Sequence, residues 1–128
     1  MNLRLYKSEK LCSVTAINTL FDRHAANFTL AAFPIRVFWR IADKRDTGAP
    51  MQFLISVPKK RLRHAVDRVT MRRRIREAYR LHHQDYPLPE GVKVDVAFVY
   101  VDSDLHSYQR VERSVCRLLA GIRENLEC

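Results

Sequence analysis

Two short apolar runs, separated by a long arginine-rich segment, constrain the fold of this chain more than any other feature. The runs are MQFLISV at 51–57 and VKVDVAFVYV at 92–101, and they have the β-branched and aromatic residues typical of buried strands. Between them, apolar residues recur at helical spacing from about residue 67 or 69 to residue 82. Two prolines and a glycine at 85–91 then end the predicted helix. The second half of the chain is therefore expected to begin as strand, helix and strand.

The flanking segments complete an α+β pattern. A first helix, capped by Ser8, is predicted to about residue 24, and its apolar face comprises Leu11, Val14, Ile17, Leu20 and Phe21. The segment NFTLAAFPIRVFWRIA at 27–42 predicts one or two strands punctuated by Pro34. The polar stretch at 42–50 is interpreted as a hairpin loop before the next strand.

A last helix is predicted after the strand at 92–101, with Asp102, Ser103 or Asp104 as its N-cap. Its apolar stripe consists of Leu105, Tyr108, Val111, Val115, Leu118, Leu119, Ile122 and Leu126. With 128 residues, one domain spanning 1–128 is expected. The order α-β-β-β-α-β-α predicts an α+β fold in which helices cover a small sheet in a two-layer sandwich.

Several protein classes do not fit this composition. Three cysteines, Cys12, Cys116 and Cys128, show no CxxC spacing, which argues against a disulfide scaffold and against a zinc site. The N-terminal residues lack the apolar region of a signal peptide, and no apolar run approaches the ~20 residues of a membrane span. A cytoplasmic protein without membrane attachment is expected.

Positive charge is concentrated in one segment. Residues 59–80 contain ten Lys or Arg residues and only two acids, and so carry almost the whole formal net charge of +9. Such clustering is typical of a site that binds a polyanion, and arginine suits phosphate because its guanidinium donates two hydrogen bonds at once. The alternative is a solvated helix face that is basic but binds no ligand.

Helical spacing of about 100° per residue separates this segment into two faces. The side expected to be buried comprises Met71, Ile75, Ala78 and His82, with Tyr79 at its margin. A second arc comprises Arg72, Arg73, Arg76 and Arg80. Arg74 falls away from that arc and is expected to serve a different surface. The helix can therefore bury one face on the sheet and present a line of guanidinium groups outward.

The segment SVPKKRLRHAVDRVTMRRRIREAYR resembles the signature of bacterial ribonuclease P protein components, in which a strand and a Lys-Lys pair precede roughly AVxRNRxKRxxRE. The matching positions are Ala65, Val66, Arg68, Arg72 (usually Lys), Arg73, Arg76 and Glu77. Two positions depart from the pattern, because Val69 replaces the usual Asn and Thr70 replaces the second Arg of Arg-Asn-Arg. The order of elements, the length and the Leu20-Phe21 pair extend the resemblance to nearly the whole chain.

The resemblance implies a fold like the second domain of ribosomal protein S5, with a left-handed parallel crossover around the basic helix. It also implies an accessory subunit of a ribonucleoprotein endoribonuclease. The RNA subunit would carry out catalysis, with Mg²⁺ held mainly by RNA activating the water that cleaves precursor tRNA at its mature 5′ end. No catalytic residue, metal ligand or small-molecule cofactor is expected of the protein itself.

The same resemblance assigns two binding tasks to the protein. The basic segment would contact the catalytic RNA through Lys59, Lys60, Arg61, Arg63, Arg68, Arg72, Arg73, Arg76 and Arg80. A cleft between the first helix and the sheet would hold the single-stranded 5′ leader of precursor tRNA, with Ile17, Phe21 and Trp39 as candidate lining residues.

Three other functions remain open from the residues alone. A general or ribosome-associated RNA-binding protein would use the same basic helix without an enzymatic complex. A DNA-binding protein would place this helix in a major groove, although no partner helix joined by a short turn is evident. A membrane-surface protein fits least, because the helix lacks a large apolar face with Trp or Phe.

Overall fold

The computed structural model describes residues 21, 28–41, 51–89 and 91–127. The described part contains four strands: β1 (Phe28–Ala32), β2 (Ile35–Ile41), β3 (Met51–Ser56) and β4 (Val94–Tyr100). Two α-helices accompany them, α1 (Ala65–His82) and α2 (Tyr108–Glu127), and a 3-10 turn (His83–Asp85) follows α1. The predicted order is thus confirmed from β1 onward, with two strands around Pro34. The predicted first helix lies outside the described residues except for Phe21.

The four strands form one mixed sheet in the order β1-β2-β4-β3. β1 and β2 are antiparallel, β2 and β4 are antiparallel, and β3 and β4 are parallel. Helix α1 connects the two parallel strands, so the parallel crossover around the basic helix is confirmed. The left-handedness of that crossover stays a prediction.

The hairpin predicted at 42–50 is wrong. β4 lies between β2 and β3, so these two consecutive strands are not paired with each other. Residues 42–50 themselves lie outside the described part of the chain. The polar composition of residues 42–50 indicated a connection between strands. It could not indicate that β4 lies between β2 and β3, because β4 begins more than fifty residues after the end of β2.

Alternation along the strands divides the sheet into two faces. Ile35, Val37 and Trp39 of β2 are buried on the face that the helices cover, whereas Arg36 on the other face is exposed. Helix α2 packs over β1 and β2, α1 packs over β3, and the two helices contact each other. One continuous core results between sheet and helices, and the two-layer α+β sandwich is confirmed.

Both helices begin at residues other than those predicted. α1 begins at Ala65, two residues before the earlier predicted start, and its N-cap His64 makes no side-chain capping hydrogen bond. α2 begins at Tyr108, where the Ser107 hydroxyl accepts a hydrogen bond from the Arg110 amide at 3.3 Å. Asp102, Ser103 and Asp104 therefore do not cap α2.

The segment between β4 and α2 has its own contacts. The Asp102 carboxylate accepts a hydrogen bond from the Ser103 amide at 2.8 Å and lies 2.5 Å from His106 Nε2. Leu105, predicted to lie in the apolar stripe of the helix, precedes α2 and is 47% exposed. The rest of that stripe is confirmed, because Val111, Val115, Leu118, Leu119 and Ile122 are all buried.

Candidate nucleic-acid interface

Helix α1 is anchored by its apolar face. Met71, Ile75 and Ala78 are fully buried, as predicted. Tyr79, predicted at the margin, is also fully buried and packs against Phe53, with ring centroids 4.2 Å apart. This anchoring fixes the direction in which the opposite face of the helix points.

His82, the last residue of α1, is not part of the apolar core, although helical spacing predicted it there. Its imidazole is half-buried, and Nε2 lies 2.9 Å from Oε2 of Glu112 on α2. The hydrogen bond to His82 lowers the pKa of Glu112 below its ordinary value. A polar contact between the two helices therefore ends the buried face of α1.

Three arginines of α1 are available to a ligand. Arg73 and Arg76 are exposed and Arg72 is partly exposed. Within the described part of the chain, none of these three guanidinium groups makes a hydrogen bond or an ion pair. Like charges one turn apart on a helix repel each other, so this arrangement is unfavourable until an anion compensates it.

Arg80, at the end of the same arc, is already paired. Its Nε and Nη2 lie 3.0 and 2.5 Å from the two carboxylate oxygens of Glu77. The hydrogen bond from Arg80 lowers the pKa of Glu77 and raises that of Arg80. Arg80 thus extends the basic surface with much of its charge neutralised locally.

The connection from β3 to α1 carries the remaining predicted basic residues. Lys59, Lys60 and Arg63 are exposed, and Arg61 is partly exposed. Arg68 differs from them, because its Nη1 donates hydrogen bonds of 2.9 Å to the carbonyl oxygens of Leu62 and Arg63. Arg68 therefore ties this connection to the first turns of α1.

Arg74 serves a different surface, as predicted. Its guanidinium donates a hydrogen bond to the main-chain carbonyl of His106 in the segment before α2. An open pocket of about 450 Å³ lies beside it, lined by Arg73, Arg74, Arg76, Glu77 and Tyr108. The basic arc of α1 therefore continues into a concavity between the two helices.

The two departures from the family signature lie within this basic surface. Val69 is 38% exposed one turn before Arg72 and Arg73, so an apolar side chain occupies the middle of the arginine arc. The Thr70 hydroxyl donates a hydrogen bond of 2.9 Å to the Val66 carbonyl oxygen one turn earlier. Neither side chain offers a positive charge to a ligand.

The sheet face opposite α1 and α2 carries a second candidate site. The ring centroids of Phe21 and Phe38 are 5.3 Å apart, and the Arg36 guanidinium lies 5.9 Å from the centroid of Phe38. Phe21 is 45% exposed and Phe38 is partly exposed. This aromatic pair with an adjacent cation has the composition of a surface for single-stranded nucleic acid.

Trp39, the other candidate for this cleft, lies on the opposite face. It is 1% exposed, and Phe28 stacks on its ring at 4.5 Å between centroids. Phe38 and Arg36, which lie on the same strand as Trp39, were not among the candidates taken from the sequence. Ile35, Val37 and Trp39 alternate along β2 and therefore share one face of the strand. This alternation in the sequence indicates that Trp39 belongs to the core. Ile17 lies outside the described residues.

Among the described residues, no group of three or more His, Cys, Asp or Glu residues could hold a metal ion. The close His106–Asp102 pair lies in a surface segment, and the hydrogen bond from His106 lowers the pKa of Asp102. The Cys116 thiol is free, and burial raises its pKa. Neither α1 nor α2 has an apolar stretch long enough to cross a bilayer.

Sequence comparison identifies the family of this chain. The ribonuclease P family model matches residues 5–123. The ribonuclease P protein component of Porphyromonas gingivalis is 34% identical over 125 residues, which cover 95% of this chain and 88% of that protein. The corresponding protein of Chlorobium phaeobacteroides is 29% identical over 101 residues, covering 70% of this chain and 69% of its own length.

Solved structures share the fold. The RNase P protein of Staphylococcus aureus matches with a TM-score of 0.68 and 16% identity, over 92% of this chain and 97% of that one. The RNase P protein of Thermotoga maritima matches with a TM-score of 0.68 and 17% identity, over 88% of this chain and 96% of that one. The chain belongs to the ribonuclease P protein family, the protein subunits of the endoribonuclease that processes the 5′ end of tRNA.

Proposed function

We propose that the exposed arc of α1 binds the phosphate backbone of the catalytic RNA. The observation that carries this proposal is the set of three guanidinium groups, Arg72, Arg73 and Arg76, on a helix whose other face is locked in the core. None of the three is neutralised by a described residue, so RNA phosphates supply the missing negative charge. Release of the counterions of the RNA then drives association.

The other predicted RNA-binding residues divide into two groups in this proposal. Lys59, Lys60, Arg61 and Arg63 extend the contact beyond the start of α1, and Arg68 acts by positioning them. Arg80 contributes less than Arg73, because Glu77 holds its guanidinium with two hydrogen bonds.

We further propose that the 5′ leader of precursor tRNA binds the sheet face opposite α1 and α2. Phe21 and Phe38 offer half-exposed rings on which bases can stack, and Arg36 offers a charge beside them. Stacking is tolerant of sequence because every base has an aromatic face. Trp39 supports this surface from the core and makes no base contact in the proposal.

The cleavage chemistry is assigned to the RNA subunit. In the proposal Mg²⁺ is bound mainly by the RNA, and the protein contributes affinity for RNA and orientation of the substrate. Precursor tRNA is a cytoplasmic substrate in bacteria, so the cytoplasm is the proposed location.

The decisive experiment measures cleavage of a 5′-extended precursor tRNA by the matching RNA subunit at low Mg²⁺, with and without the protein. Stimulation is expected, and it should be lost when Arg72, Arg73 and Arg76 are all replaced by Ala. The matched control replaces the same residues by Lys, which keeps the charge and should keep most of the stimulation. A folded protein that gives no stimulation would instead indicate a general RNA-binding role.

The leader site is tested by varying leader length. Phe38→Ala should raise the KM for a precursor with a long leader, because a stacking platform is lost. The KM for a precursor with a one-nucleotide leader should be unchanged, since that substrate does not reach the sheet. Equal effects on both substrates would contradict the assignment of the leader to this face.

A further inference from the structure

A second line of arginines lies on α2, away from the arc of α1. Arg110, Arg113 and Arg117 are spaced by three and four residues, so they follow one another along a single helix face, and all three are exposed. They adjoin Ala32 and Phe33, at the turn between β1 and β2. An open pocket of about 120 Å³ is lined by Ala32, Phe33, Arg110, Arg113, Ser114 and Arg117.

The turn is held against α2 by a buried hydroxyl. Ser114 is 5% exposed, and its Oγ lies 2.9 Å from the Phe33 carbonyl oxygen and 3.1 Å from that of Arg110. Phe33 nevertheless remains 51% exposed, and its ring makes an edge contact with that of His106 at 5.5 Å between centroids. A large aromatic residue therefore lies beside three guanidinium groups with about half of its surface exposed.

The charge of this line is uncompensated within the described residues. No hydrogen bond or ion pair involves the side chain of Arg110, Arg113 or Arg117 in the part of the chain that the structure describes. Glu112 of the same helix points away, toward His82 of α1. The repulsion among the three arginines would be relieved by a ligand with several negative charges.

We propose that this surface is a second binding site for single-stranded RNA, with Arg110, Arg113 and Arg117 on consecutive phosphates and one base stacked on Phe33. The arginines span about 10 Å along the helix axis, which suits a strand better than an isolated anion. The exposed ring supplies the base contact that a free phosphate would not use. The choice of RNA as the ligand rests on the RNA-binding role proposed above, whereas the geometry of the site does not depend on that role.

The test measures binding of a fluorescein-labelled oligouridylate of eight nucleotides as a function of salt. In the variant R72A/R73A/R76A, binding at the α2 site should persist. Adding R110A/R113A/R117A should reduce the slope of log affinity against log salt by about two, as expected for three phosphate contacts on a single strand. F33L should weaken binding about tenfold without changing the slope, because it removes only stacking.

The control R110K/R113K/R117K keeps the charge and should keep the salt slope. Arg110, Arg113, Arg117 and Phe33 are exposed, so the substitutions should leave the fold intact. Thermal unfolding of each variant checks this. If the α2 substitutions leave both affinity and slope unchanged in the R72A/R73A/R76A background, the second site does not exist. If the unsubstituted protein binds the oligouridylate at α2 but gives no stimulation of precursor tRNA cleavage, the proposed function is overturned and this site stands.

Discussion

Arg74 donates a hydrogen bond to the main-chain carbonyl of His106 and thereby joins α1 to the segment before α2. Arg73, its neighbour in sequence, is exposed and makes no hydrogen bond or ion pair with a described residue. A helix turn of about 100° per residue thus assigns two adjacent arginines to different tasks.

Substitution should separate these tasks. Arg74→Ala should lower the free energy of unfolding by about 1.5 kcal/mol, because the carbonyl of His106 loses a charged donor. Arg73→Ala should change it by less than about 0.5 kcal/mol, as is usual for an exposed side chain. Affinity for the catalytic RNA should show the reverse order. Urea unfolding and filter binding measure the two quantities, and equal losses of affinity would refute the division.

Arg68 provides a second prediction, because it holds the connection between β3 and α1 by two hydrogen bonds from one nitrogen. Arg68→Ala should destabilise the protein by about 1–2 kcal/mol and also weaken RNA binding, since the neighbouring lysines lose their support. Arg68→Lys should recover the charge but not the geometry, because the lysine ammonium is carried on a shorter and more flexible side chain. Full recovery of RNA affinity in the Lys variant would show that Arg68 acts through charge alone.

The hydrogen bond between His82 and Glu112 makes the packing of α1 on α2 depend on pH. The lowered pKa of Glu112 means that its contribution to stability is present above the ordinary carboxyl range and is lost as the pH falls through the lowered value. Glu112→Gln should therefore destabilise the protein at neutral pH by about 0.5 kcal/mol, a small amount because both side chains are partly exposed. At pH values below the lowered pKa of Glu112, the difference between variant and parent should vanish. Chemical unfolding at a series of pH values measures the difference in free energy of unfolding between Glu112→Gln and the parent. If that difference did not change with pH, the role of the carboxylate would be contradicted.

Sequence periodicity predicted much of this molecule, and its failures have physical reasons. The division of α1 into an apolar and a basic face follows from residue spacing alone, and the structure confirms it for Met71, Ile75 and Ala78. The pairing of β3 with β4 rather than with β2 depends on contacts between distant residues, which no local pattern encodes.

The cap of α2 could not be chosen from sequence, because Asp102, Ser103, Asp104 and Ser107 are all suitable residue types. Tertiary contacts decide among them, since His106 engages the Asp102 carboxylate and leaves Ser107 to accept the hydrogen bond of the helix amide. Trp39 was a different kind of failure. Strand alternation was sufficient to place it in the core with Ile35 and Val37, and Phe38 on the face that Phe21 contacts.

The two departures from the family signature give the last prediction. Thr70 lies one turn before Arg73 and Arg74, and its hydroxyl donates a hydrogen bond to the Val66 carbonyl oxygen of its own helix. Thr70→Arg should therefore add one phosphate contact beside Arg73 and make the salt dependence of RNA binding steeper by about 0.9. Val69→Asn, added to the Thr70→Arg variant, should provide polar contacts within the arginine arc of α1, where Val69 is 38% exposed.

The matched control is Thr70→Glu, which places a negative charge at the same position. It should weaken RNA binding, because the carboxylate repels the phosphate that the arginine would contact. Thermal unfolding of all variants should agree closely, since residue 70 is on the helix surface and its lost hydroxyl bond is local. If Thr70→Arg left the salt dependence unchanged while Thr70→Glu weakened binding, the RNA would lie near residue 70 without a phosphate in reach. The basic surface of this chain would then have been rebuilt around Arg72, Arg73 and Arg76, and restoring the family signature would not strengthen it.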